Sequence, residues 1–244
     1  MKRLADQRVL VVGASAGIGR AVAVAAAEAG ARVAAAARRS DRLEALAAEI
    51  GGGAAIRLDV QDAEACRDGV EAAVQALGGL DSLVYVVGTA SLGDVAEVTA
   101  DVWAETFATN VTGASLVLAA AIPHLSESRG RAVLVSSISA DDFPPRRQLG
   151  PYVVSKAALN KLVEVWQNEH HEVSFTRLSV GDTLGTEFAE SWDLGDGEIV
   201  REWGDRGLMF GRTMLPEAVG RHVVDLLASE ETISVSRFVP RFED

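Results

Sequence analysis

The stretch RVLVVGASAGIG, Arg8 to Gly19, decides how this chain is organised. Val9–Val12 form a short, continuous apolar run bounded by glycine, which reads as a strand buried on both faces. Gly13, Gly17 and Gly19 follow immediately. Beyond them Val22, Ala25, Ala26 and Ala29 lie on a helical stripe that Gly30 stops. A strand, a turn of small residues and a helix, in that order, let backbone N–H groups and the positive end of a helix approach a pyrophosphate. The glycine trio alone fits a tight turn with close helix packing equally well, so its context has to decide.

Outward from this unit the pattern repeats. Strand-like runs stand at Arg32–Ala36, Ala54–Leu58, Leu83–Val87 and Ala132–Ser136, with helical stripes between them: Leu43, Leu46, Ala47 and Ile50, then Cys66, Val70, Val74 and Leu77. Thr99 is placed to cap a long helix through Val102, Trp103, Phe107 and Leu118 that ends near Pro123, and Tyr152–Asn168 reads as another. Pro216 opens a last helix with Val219, Val223, Leu226 and Leu227, followed by the strand-like Ile233–Val239. Strands alternating with crossover helices predict an open, doubly wound parallel α/β sheet of about seven strands, helices on both faces, and a ligand crevice beyond the strands' carboxyl ends. Residues 1–244 read as one domain, without linker, charge block or repeat.

Composition narrows the function classes. Hydrophobic residues make up 48% of the 244 and aromatic ones 5%, an alanine-rich balance suited to helices packed closely on a parallel sheet. A formal charge of −12 argues against nucleic acid or an anionic membrane as partner, because phosphate binding needs a basic footprint. Cys66, the single cysteine, forms no intramolecular disulfide and reads as a buried small hydrophobe. Met1–Val12 carries Lys2, Arg3, Asp6 and Arg8 and lacks a signal-peptide core, and no later apolar run is expected to approach ~18 residues, so the expected location is the cytoplasm. His124, His170, His171 and His222 lack metal-ligand spacing, and no metal is expected.

Chemistry enters with Pro151–Lys156, PYVVSK. Tyr152 and Lys156 stand four apart, so one helical face holds a phenol beside an ammonium. A free phenol titrates near ~10, and a neighbouring cation favours its phenolate, which makes Tyr152 a usable acid/base toward a carbonyl oxygen or an alcohol.

With G-x-x-x-G-x-G at Gly13–Gly19, Leu58-Asp59-Val60, Asn110-Val-Thr-Gly113, Ser136-Ser137, Tyr152 and Lys156, the chain resembles the short-chain dehydrogenase/reductase family from Val9 to about Phe188. The resemblance implies a Rossmann-like fold binding a nicotinamide dinucleotide and an oxidoreductase working on a small-molecule carbonyl or alcohol. Gly13, Ser15, Gly17, Ile18, Gly19, Asp59, Val60 and Gly88 would hold the nucleotide, Asp59 at the adenine unless it merely caps the next helix. Lys156 would tune Tyr152 and hold the nicotinamide ribose hydroxyls, and Ser137 would hydrogen-bond the developing alkoxide, with Ser136 and Ser139 as competitors. Asn110 would interrupt a helix and hold a water leading to Lys156. Gly181, Thr183 and Thr186 would hold the carboxamide.

At the end of the second strand stand Ala36, Ala37 and Arg38, where a carboxylate would choose NAD(H). Arg38, with Ser15 and Arg39, is expected to meet a 2′-phosphate, which favours NADP(H), although the arginines also fit a solvated helix start. Three departures stand out against the family: Tyr85-Val-Val-Gly88 for Asn-Asn-Ala-Gly, Val180 for proline, and a tail, Arg237–Asp244, without the usual glycines. The segment 186–212, with Trp192 and Trp203, is either a substrate lid or ordinary packing, and Arg146 and Arg147 either face solvent or greet an acidic substrate. Relatives pair through the helices of Asn110 and Tyr152, so a homodimer or homotetramer is expected. The alternatives are an NADP(H)-binding sensor without turnover and a sugar-nucleotide epimerase, for whose usual sugar domain the C-terminal portion is too short.

Overall fold

Seven parallel strands form one sheet in the order β3-β2-β1-β4-β5-β6-β7: β1 Arg8–Val12, β2 Arg32–Ala37, β3 Ala54–Arg57, β4 Ser82–Tyr85, β5 Arg131–Ser137, β6 Ser174–Val180 and β7 Val235–Phe238. The structure is a computed structural model and describes residues 2–142, 144–189, 192 and 197–241. β1 pairs with both β2 and β4, so strand order reverses there and leaves a crevice above their carboxyl ends, the expected doubly wound arrangement.

Alternation along the strands divides the core. Leu10, Val12, Ala34, Ala36, Leu83 and Phe175 face α3 (Ala63–Leu77), α5 (Gly113–Ser128) and α6 (Gly150–Glu169). Val9, Val11, Val33, Ala35, Val133 and Leu178 face α1 (Gly17–Glu28), α2 (Ser40–Glu49) and α8 (Pro216–Leu227). Burying each Val or Leu contributes ~1.5–3 kcal/mol. Small residues set the spacing: a Cβ on Gly220 of α8 would come 2.6 Å from the Ala21 carbonyl oxygen, so α8 lies directly on α1.

Local signals fix the ends. The Asp62 carboxylate accepts from the N–H groups of Glu64 and Ala65 at the start of α3, and Gly78 closes it in the left-handed region at φ +76. Thr99 caps α4 (Ala100–Phe107) as expected. The helix then widens into a π turn over Ala108–Thr112 and continues as α5 to Ser128. Its expected end near Pro123 is thereby corrected. Pro123 lacks only its own N–H, while Ile122 and Leu125 on either side are buried against the sheet, and Arg129, at φ 50, ends the helix instead. Ala100–Ser128 is also long and apolar enough to cross a membrane, contrary to the expectation that no run approaches ~18 residues. Half of its apolar window is buried inside the chain, as for a core helix.

Candidate active site

A cavity of about 670 Å³ opens above the carboxyl ends of the central strands. Every residue expected at the cofactor or in catalysis lines it except Asn110, which lies fully buried behind the wall.

At one end β1 runs into the glycine turn. Gly13 takes φ +97 and Gly17 φ +52, conformations costly for a side-chain-bearing residue, and a Cβ on Gly19 would lie 2.1 Å from the Gly13 carbonyl oxygen. The turn is thus folded tightly against the start of α1. No side chain caps that start, so its first N–H groups belong to residues that line the cavity, a cradle that fits a pyrophosphate. Thr186 packs over the turn, its Cγ2 3.2 Å from where a Gly17 Cβ would be.

The arginines beside this cradle divide differently from expectation. Arg38 is exposed at the rim, whereas Arg39 reaches Ser15 Oγ at 2.8 Å. Arg39 also pairs with Glu187 at 2.7 Å, and Arg42 donates to the other Glu187 oxygen. Glu187 belongs to a short 3₁₀ turn, Glu187–Ala189, so a carboxylate from the far side of the cavity sits on the cations that would meet a phosphate. The two guanidinium groups hold its pKa below the usual carboxylate range. Asp59 accepts from the Gln61 N–H and lines the cavity, and the capping role considered for it belongs to Asp62.

The catalytic candidates converge from β5 and α6. Tyr152 and Lys156 lie on the buried face of α6, with Lys156 Nζ 5.9 Å from the phenol ring centre and 3.0 Å from the Val135 carbonyl oxygen, to which it donates. Gly88 makes room for the amine, since a Cβ there would sit 3.3 Å from Nζ. Ser136 is engaged by the Asn160 side chain at 2.6 Å, and Ser139 bonds Ser137 Oγ at 2.8 Å. Ser137 is the hydroxyl acting on the phenol.

Burial pushes the Tyr152 phenol up to about 12, against the Ser137 hydroxyl and the Arg146 guanidinium, which pull it down. Burial also pushes the Lys156 ammonium down to about 8. The expected lowering of the phenol by Lys156 is therefore not the effect at work in this arrangement.

Asn110 occupies the π turn. Its amide donates to the Thr89 carbonyl and to Ser155 Oγ, both at 2.9 Å, and its oxygen accepts from the Thr89 N–H at 2.8 Å. Ser155 in turn donates to the Tyr152 carbonyl at 2.7 Å. Both amide donors are committed, so this side chain ties the Gly88–Thr89 loop to α6. Sequence reading missed Ser155, although its place between Tyr152 and Lys156 on a buried helix was a signal.

The family model for short chain dehydrogenase matches residues 7–195. The chain belongs to the short-chain dehydrogenase/reductase family. An uncharacterized oxidoreductase of Methylorubrum extorquens is 37% identical over 174 residues, 69% of each chain. A short chain dehydrogenase of Pseudocercospora fijiensis is 38% identical over 168 residues, 66% of this chain and 54% of that protein, so the match spans about half of that relative's length. Among solved structures, a short-chain dehydrogenase/reductase of Mycobacterium marinum superposes with TM-score 0.86 at 32% identity, covering 97% of this chain and 95% of that one. An alcohol dehydrogenase of Thermococcus sibiricus complexed with 5-hydroxy-NADP superposes with TM-score 0.82 at 26% identity, covering 97% and 96%. This short-chain dehydrogenase/reductase is an oxidoreductase with a Rossmann-like, NAD(P)-binding fold.

Its departures from the family pattern now have structural counterparts. Tyr85 is fully buried and donates to the Thr109 carbonyl in the π turn at 2.8 Å, so it braces the turn that holds Asn110. Val180 continues β6 opposite Ser137. The tail packs Pro240 Cδ 3.1 Å from where a Gly181 Cβ would be, and Phe242–Asp244 lie outside the described residues. Within the expected lid, Phe188, Trp192, Val200, Trp203, Leu208 and Met209 pack with Tyr152, Ala90 and Leu149, while residues 190–191 and 193–196 lie outside the described set. Arg147 pairs at the surface with Glu202, 2.8 Å away. Arg146 does not face solvent: it is 7% exposed and held by Asp142 and Asp182.

Proposed function

We propose that the chain interconverts a carbonyl compound and a secondary alcohol, with Tyr152 as general acid/base and NADP(H) preferred over NAD(H). The observation that carries this reading is the convergence of Tyr152, Lys156 and Ser137 in the cavity that the glycine turn also lines. The bound nicotinamide supplies or takes up the hydride. Tyr152 gives its proton to the carbonyl oxygen in reduction and removes the hydroxyl proton in oxidation, and the Ser137 hydroxyl stabilises the charge developing on that oxygen. Lys156 places a cation beside Gly88, where ribose hydroxyls would lie, and Gly181, Thr183 and Thr186 form the carboxamide side of the wall.

The coenzyme preference rests on Ala36 and Ala37, which supply no carboxylate, and on Ser15, Arg38 and Arg39 nearby. Tyr152→Phe is expected to lower turnover about 10²- to 10⁴-fold while NADPH still binds, measured by steady-state kinetics beside a fluorescence titration. Unchanged turnover contradicts the assignment. Tyr85, Val86 and Val87, in place of the family's adenosine-wall residues, favour a second reading, an NADP(H) sensor that binds nucleotide without hydride transfer to any carbonyl compound.

A further inference from the structure

Beyond Tyr152 the described wall of the cavity carries the rings and aliphatic side chains of Phe188, Trp192, Val200, Trp203 and Met209, beside the polar Arg146 and Asp182. Phe188 lies 4.9 Å from the Tyr152 ring centre, Trp192 5.2 Å from Phe188, and Trp203 6.4 Å from Trp192 in an edge-on arrangement. The indole N–H groups are already committed, Trp192 to the Ala90 carbonyl at 3.1 Å and Trp203 to the Arg147 carbonyl at 3.2 Å. What these side chains offer a ligand is therefore ring surface.

Arg146 is the cation in this part of the wall. Its Nε donates to Asp142 at 3.0 Å, Nη1 to Asp182 at 2.7 Å, and Nη2 to the Leu208 carbonyl at 2.6 Å and to Asp182 at 3.4 Å. Its guanidinium carbon also stands 5.7 Å from the Trp203 ring centre. With its edges occupied, Arg146 has no free fork for a carboxylate, and two aspartates outweigh its single charge. Both Asp182 oxygens and one Asp142 oxygen accept from Arg146. Burial pushes the Asp142 carboxyl up, against the Arg146 guanidinium, which pulls it down. The same cluster ties the loop after β5 to the loop after β6 and to the segment ending α7 (Glu198–Asp205), so it also fixes the shape of this wall.

We infer that the substrate half of the cavity takes a ketone or secondary alcohol carried on an aromatic or fused alicyclic ring, and that the Arg146 cluster, its fork filled and its formal charge negative, excludes acidic substrates. The reacting group rests on the hydride-transfer reading above, and the ring and the exclusion of acids rest on the wall. The acidic substrate considered for Arg146 from the sequence has no place in it.

The test uses the full chain with NADPH and three probes: β-tetralone, a ring-carboxylate derivative and a ring-aminomethyl derivative. Tryptophan fluorescence reports binding, and NADPH oxidation reports kcat/KM. The neutral probe is expected to quench and to be reduced with kcat/KM at least about 100-fold above the carboxylate probe. In Arg146→Met, which leaves Asp142 and Asp182 without their cation, the aminomethyl probe is expected to gain on the neutral one, whereas Arg146→Lys keeps the wild-type order. The Lys variant also reads out the role of charge if the Met variant fails to fold. Equal or better use of the carboxylate probe by the wild-type chain overturns the inference and leaves the hydride-transfer reading standing. Selective quenching by the neutral probe without any turnover supports the pocket class and overturns hydride transfer.

Discussion

Tyr152 is a phenol that its surroundings keep protonated, at about 12, while Lys156 close by is held at about 8. Carbonyl reduction needs the protonated phenol, so Tyr152 itself does not limit that direction near neutrality. As pH rises through about 8, Lys156 loses its proton and the cation beside Gly88 with it. The kcat of reduction is expected to stay level below that point and to fall above it, as a pH series of initial rates would show. A level profile through that range contradicts the Lys156 role. In oxidation the phenolate is needed. Ser137 lowers the phenol's pKa, so Ser137→Ala should move the ascending limb of alcohol oxidation to higher pH, and a limb that stays in place or moves down would show that Ser137 does not act on Tyr152. At this scale the residues that were legible in the sequence are those defined by spacing: the glycines, Tyr152 with Lys156, and Ser137. Arg146 was not legible, because its burial depends on Asp182, 36 positions away. The exchange of Arg38 for Arg39 at Ser15 was equally hidden, since neighbouring side chains at a strand end point to different sides.

Two elements carry effects that no single position announces. The π turn over Ala108–Thr112 frees backbone groups, and Tyr85 answers one of them at the Thr109 carbonyl. Tyr85→Phe leaves that carbonyl buried without its donor, an expected loss of ~1–3 kcal/mol in urea unfolding, with Asn110 and the Thr89 loop loosened behind Lys156. Stability equal to wild type would remove Tyr85 from this role. Across the cavity, the turn bearing Glu187 is fastened to Arg39 and Arg42, so a 2′-phosphate has to compete with a carboxylate. Because the pair is partly exposed, Glu187→Gln is expected to tighten NADPH binding by up to about fivefold, ~1 kcal/mol, with little change for NADH, read by fluorescence titration. An equal change for both coenzymes would show that Glu187 acts on the fold rather than on the phosphate site. Strands and most helices were legible because burial on both faces and the helical stripe leave strong periodic marks, as in Val9–Val12 and Cys66–Leu77. The helix beyond Pro123 was not, because packing of Ile122 and Leu125 on the sheet outweighs one missing hydrogen bond. The Glu187 fastening joins residues 148 and 145 positions apart and leaves no local trace.

Over the whole molecule, the reversal of strand order between β2 and β4 places the glycine turn, the Gly88 loop and the end of β5 around one crevice, and α6 delivers the phenol and amine to it. The net charge of −12 suits a neutral substrate better than an anionic one. We propose a homodimer or homotetramer assembled through the outer faces of α5 and α6, where Val154 and Val165 of α6 are exposed. A monomeric mass at micromolar concentration in light scattering would contradict that assembly. We propose that hydride passes between a nicotinamide and a carbonyl carbon in this crevice. Mass spectrometry of the alcohol formed from β-tetralone and NADPH carrying deuterium at both C4 positions tests it most directly. Hydride transfer gives an alcohol one mass unit heavier than that made with unlabelled coenzyme, formed by the wild-type chain and strongly diminished in Tyr152→Phe; alcohol without the label, or no alcohol at all, would contradict it.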